Sequence, residues 1–166
     1  MRNLLHLAIM CILFHGATGL AQERVPKFTD YPARIIPTRR FVKLQLHSTP
    51  DTACFRTMLR RVARLGLRFA GHYAVGSWGC GTCLRLGIVD LTTGRTYVTP
   101  FEASSRRASL NVQTDSRLLV IDDAEHPPGE YYLWTGRHLL PIYNGKVERQ
   151  EPERQFLRCS EMARFR

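Results

Sequence analysis

Chemistry in this chain would begin with its thiols, histidines and clustered acids. Trp78-Gly79-Cys80-Gly81-Thr82-Cys83 sets two cysteines in a CxxC spacing, which supports thiol–disulfide exchange when a helix N-terminus lowers one thiol's pKa. Leu84-Arg85-Leu86-Gly87-Ile88-Val89 follows as a strand-like run and not as a helix. A structural disulfide stapling a Gly-rich turn is therefore expected, with exchange at Cys80/Cys83 as the alternative. His72 would become a general base if Asp90 or Asp122 came within hydrogen-bond reach. Asp122-Asp123-Ala124-Glu125-His126 gathers acids and a histidine, but the spacing fits neither an EF-hand loop nor a zinc pattern, and a solvated loop is expected. Ser104, Ser105 and Ser109 lack a Gly-x-Ser-x-Gly elbow. No catalytic set, metal or cofactor is assigned.

Binding chemistry is the stronger expectation, with His72, Tyr73, Trp78, Tyr132 and Trp134 as candidate contact residues. In Tyr131-Tyr132-Leu133-Trp134 a strand would turn one face to the core; a core-only role for the run is favoured, with Tyr132 and Trp134 as a binding surface on the other face the alternative.

The ends and the cysteines speak to compartment. Arg2, the apolar run Leu4–Phe14 and the small-residue tripeptide Gly19-Leu20-Ala21 predict a signal peptide over residues 1–21. That run is too short to span a bilayer. Residues 22–166 form the expected single β-rich domain. Cleavage removes Cys11 and leaves Cys54, Cys80, Cys83 and Cys159. In an exported chain these predict two disulfides. Local pairing of Cys80–Cys83 leaves Cys54–Cys159, which would close about 105 residues and contribute on the order of 4–5 kcal/mol; crossed pairings stay open.

The chain has 166 residues, with 24 Lys+Arg against 14 Asp+Glu and a net charge of +10. That excess favours an anionic partner, either an envelope protein or a cell-wall polymer. Export and the lack of a recognition motif argue against nucleic acid. Only Lys27, Lys43 and Lys146 are lysines, a skew that coding bias would also produce.

The elements that must position these residues follow from pattern. Residues 22–40 are Pro-punctuated and read as an extended lead-in with a short strand at Arg34–Ile36. Phe41–Leu46 alternates like a strand. Thr49 as cap, Pro50 and Asp51 open a helix over residues 50–65, with Phe55, Met58, Leu59, Val62 and Ala63 as its buried stripe and Gly66 as its stop. Arg56, Arg60, Arg61, Arg64 and Arg68 hold its polar side, read as a solvated face with anion binding as the alternative. Strands are expected at Phe69–Trp78, Leu84–Leu91, Arg95–Phe101, Ser109–Gln113, Arg117–Asp122, Tyr131–Trp134 and His138–Tyr143, and a short helix at Glu153–Met162.

Thr93-Gly94-Arg95 recurs as Thr135-Gly136-Arg137 at an offset of 42. Leu91 then aligns with Leu133, Val98 with Leu140 and Phe101 with Tyr143. This predicts a mainly β (α+β) fold of duplicated antiparallel meanders, propeller-blade-like, in two packed sheets with one amphipathic helix.

Phe69-Ala70-Gly71-His72-Tyr73, Trp78-Gly79-Cys80-Gly81-Thr82-Cys83, Gly87-Ile88-Val89-Asp90, Thr93-Gly94-Arg95 and Pro100-Phe101 resemble a pattern of small exported bacterial proteins without an assigned activity. The resemblance covers about residues 69–134 and implies export, not catalytic residues. Together these features predict a non-enzymatic periplasmic or secreted binding module of inhibitor, immunity or envelope-associated type. The alternative is a periplasmic enzyme, using either His72 with an Asp or thiol exchange.

Overall fold

The computed structural model describes residues 24–37, 42–79, 84–101, 108–122 and 129–148. Among the described residues, eight strands form two antiparallel meanders. One sheet runs in the order β1 (Tyr73–Gly79), β2 (Leu84–Asp90), β3 (Thr96–Phe101). The other runs β4 (Ser109–Val112), β5 (Leu118–Asp122), β6 (Glu130–Trp134), β7 (Leu139–Tyr143), β8 (Lys146–Val147). The expected mainly β fold in two sheets is present; the sheets do not close into a barrel or a ring of blades.

Period-2 alternation explains the packing. Tyr73 and Val75 of β1 and Leu86 and Ile88 of β2 meet Leu119, Ile121, Trp134 and Leu139 of the second sheet. The opposite face of the first sheet carries Ala74 and Val89, which pack on Leu59 and Val62. Gly76 and Gly87 are cross-strand partners on that face. A Cβ on Gly87 would lie 2.8 Å from the Trp78 ring and 3.1 Å from Leu59. The missing side chains thus form the notch that lets the helix approach. Leu118, Val120 and Ile142 on the outer face of the second sheet are covered by Phe28 and Tyr31 of the lead-in.

The helix differs from the expected single rod over residues 50–65. It is two pieces, α1 (Pro50–Cys54) and α2 (Arg56–Arg64), parted at Phe55, whose φ is −92° and ψ 19°. The Phe55 ring reaches the sheet, 5.4 Å from Trp78 and 5.1 Å from the Arg85 guanidinium. Thr49 caps α1 as its sequence requires: its Oγ1 accepts from the Thr52 N–H at 3.1 Å, and its own N–H donates to Thr52 Oγ1 at 2.9 Å.

Two expected strands are absent. Arg34–Ile36 forms none, and from Phe41–Leu46 only Gln45 pairs, in a single parallel bridge to Arg95; Phe41 lies outside the described residues. Both segments are clamps. The Ile36 N–H donates to the Gly71 carbonyl at 2.9 Å and the Gln45 N–H to that of Gly94 at 2.7 Å. Gly71 and Gly94 have φ of 84° and 75°, and a Cβ on either would sit 2.0 Å from the carbonyl oxygen of Arg34 or Lys43. Only glycine fits there. β1 also begins later than expected, because residues 69–72 form a tight turn closed by Tyr73 N–H to Phe69 O at 2.9 Å.

The repeat falls on equivalent hairpins. Thr93-Gly94-Arg95 turns β2 into β3 and Thr135-Gly136-Arg137 turns β6 into β7, both with glycine at positive φ. β4 and β8 extend the second copy at its two edges. β8, unforeseen in sequence, pairs with Ile142–Tyr143.

Candidate functional site

His72 and Asp90 come together, whereas Asp122 stands apart and accepts from Asn111 across the β4–β5 pair. The tight turn before β1 places His72, whose carbonyl accepts from the Leu91 N–H at 3.0 Å. Its Nε2 lies 4.0 Å from Asp90 Oδ1, and its buried Nδ1 has no hydrogen-bond partner among the described residues.

Asp90 ends β2, and its carboxylate is already engaged. Oδ1 accepts from the Thr92 N–H at 2.8 Å, Thr92 Oγ1 at 2.6 Å and the Thr93 N–H at 3.1 Å; Oδ2 accepts from Thr93 Oγ1 at 2.7 Å. Burial pushes this carboxyl up, but the Thr92 and Thr93 hydrogen bonds outweigh it and hold it below the usual carboxylate range. A pair at 4.0 Å is beyond the reach of a hydrogen bond that would orient an imidazole. The arrangement reads chemically as a turn cap that sets the β2–β3 hairpin. Beside it, burial and then the Asp90 charge push the Tyr73 phenol up. Its ring lies 4.1 Å from the His72 imidazole and meets Trp134 edge-on at 5.5 Å.

The aromatic strand is core, the reading its pattern favoured, and Tyr132 and Trp134 are not presented as a binding face. Trp134 is 1% exposed and also meets Tyr97 edge-on at 5.2 Å. Tyr132 packs against the same inter-sheet cluster, and its hydroxyl donates to Glu130 Oε2 at 2.6 Å. Burial, then Glu130, raises its phenol far above the ordinary value. The other face, bearing Tyr131 and Leu133, is packed by the lead-in. Covered on both sides, β6 leaves no free aromatic face. Cys80, Cys83, Cys159 and Asp123–His126 lie outside the described residues. No group of three or more His, Cys, Asp or Glu able to hold a metal occurs among the described residues.

What remains open is a groove. A hollow of about 480 Å³ lies between α2, β1 and β4, walled by Met58, Leu65, Trp78, Leu110 and Val112, with Arg61 and Arg68 also lining it. A second hollow of about 580 Å³ shares Arg68 and Val112 with it and continues past Ile35. Leu65, in the first hollow, is 49% and Ile35, in the second, 54% exposed. β1 and β4 are each the outermost strand of their sheet. Neither Arg61 nor Arg68 has an acidic partner among the described residues. The arginine cluster was visible in sequence, but the groove was not, because it exists only once the order of strands leaves β1 and β4 at neighbouring edges.

No protein-family model, curated protein or solved structure matches the chain.

Proposed function

We propose that this chain is an exported, non-enzymatic binding module of the bacterial envelope, an inhibitor, immunity-type or envelope-associated factor that is released by cleavage after Ala21. The groove between α2, β1 and β4 carries this proposal. It offers exposed apolar side chains, with two arginines that have no acidic partner among the described residues, beside the outermost strands of both sheets. Apolar walls with a few convergent charges suit a protein ligand better than a uniformly anionic polymer. Export is supported by the order of charged, apolar and small residues in the first 21 positions and by the even set of four cysteines that cleavage leaves. Cys54–Cys159 with Cys80–Cys83 is the proposed pairing.

Immobilised protein should retain one protein partner from envelope extract. The double charge reversal R61E/R68E should weaken that retention at least tenfold while leaving the circular dichroism spectrum unchanged, since both side chains are exposed. Equal retention by the reversed variant, or retention of polymer alone, would overturn the proposal.

A further inference from the structure

We propose that the groove's ligand is an extended, acidic peptide segment that adds to the outer edge of β1 as a further strand. This rests on the binding-module proposal and names its partner class.

The phase of the β1–β2 ladder decides which backbone groups are free. The Leu91 N–H bonds the His72 carbonyl directly opposite it. In an antiparallel pair, alternate residues exchange hydrogen bonds. Ala74, Gly76 and Trp78 therefore bond to Val89, Gly87 and Arg85, while Tyr73, Val75 and Ser77 aim their N–H and C=O groups away from β2. The Asp90 N–H to Arg95 carbonyl bond gives the matching phase on the far side of β2. Tyr73 is already used, because it exchanges hydrogen bonds with Phe69. Val75 and Ser77 have no backbone partner on that edge among the described residues. Both line the groove, Ser77 exposed and Val75, 1% exposed, closed over at its inner end. An unpaired edge at the base of an apolar trough is the geometry of strand addition, in which backbone bonds give affinity and alternate side chains give specificity.

Charge selects the occupant. A strand laid along β1 would pass Met58 and Leu65 on its helix side, and Leu110 and Val112 on its β4 side, with Arg61 and Arg68 free to meet carboxylates. A second copy carries net charge +10 and would meet those arginines with its own excess. Residues 149–166 of this chain carry five arginines against three glutamates and are equally ill-matched. An acidic partner segment is the complementary choice.

The test uses a blocked peptide of about eight residues, the length of an ordinary strand, alternating valine with glutamate, beside its glutamine counterpart. The purified protein should bind the glutamate peptide at least tenfold more tightly than the glutamine one. Amide exchange should slow at Ser77, the exposed edge position, and Ser77→Pro, which removes an edge donor, should abolish binding. Binding without protection of Ser77, or with no preference for glutamate, would overturn strand addition. Partner retention that depends on Arg61 and Arg68 but fails to be competed by the glutamate peptide would overturn it too, and would leave the binding-module proposal standing. Loss of both would sink both.

Discussion

Gly71→Ala should lower the melting temperature by about 12 °C, from a loss of roughly 4 kcal/mol in a domain of this size. The first contribution is conformational: φ of 84° costs an L-residue about 1–2 kcal/mol. The second is steric. The new Cβ would lie 2.0 Å from the Arg34 carbonyl oxygen and 2.9 Å from its carbon, so the backbone of the lead-in has to withdraw. Withdrawal breaks the Ile36 N–H bond to Gly71 and loosens the neighbouring bond from Ala33 N–H to the Asp115 carbonyl, 2.6 Å long. The control is Gly66→Ala. Gly66 shares the left-handed backbone at φ 72° but has nothing within 4 Å of a Cβ. It should lose only the conformational part, about 1–2 kcal/mol. Calorimetry on the two variants checks the account; equal losses would mean that the lead-in clamp is unimportant and only backbone strain is felt.

Asp90→Ala should cost about 3 kcal/mol at neutral pH, near 10 °C in melting temperature. Four hydrogen bonds to a charged, buried carboxylate disappear, and the Thr92 and Thr93 amides are left without their acceptor. The pH dependence follows from the depressed folded-state pKa. A carboxyl whose pKa is lower in the folded state stabilises above its unfolded value, near 3.9, and loses that stabilisation as pH falls through the folded value. The gap between wild type and variant should therefore narrow below about pH 4. A gap that stayed constant far into acid would show that the turn gains nothing from the charge.

How much of this was legible depends on whether the cause was local. Thr49-Pro50-Asp51 announced the start of α1 because a cap, a proline and a first-turn acid each act within one turn. Thr-Gly-Arg at positions 93 and 135 marked both hairpins, since a left-handed glycine decides a turn by itself. Asp90 was visible only as an acid for His72. Its neighbours Thr92, Thr93 and Gly94 held the signal of a side-chain-capped turn, in which an Asp oxygen accepts from the next two amides. The alternation in Phe41–Leu46 misled because one bridge and three side-chain bonds hold Gln45, and no ladder follows. The Tyr132–Trp134 face left two readings open in sequence, core or binding surface, for a different reason. Pattern shows that a strand has two faces, but not that sheet and lead-in cover both. The groove is the furthest from sequence, because it depends on which strands end as edges.

The most direct test places a photo-reactive amino acid at Ser77, an exposed position on the free edge of β1, and a second at Thr135, exposed in the β6–β7 turn. Irradiated in living cells, the probe at residue 77 should give a single covalent adduct with an acidic envelope protein. Its attachment point should map to an extended segment, and the probe at residue 135 should give none. No adduct from residue 77, or the same adducts from both positions, would contradict a partner seated on the β1 edge.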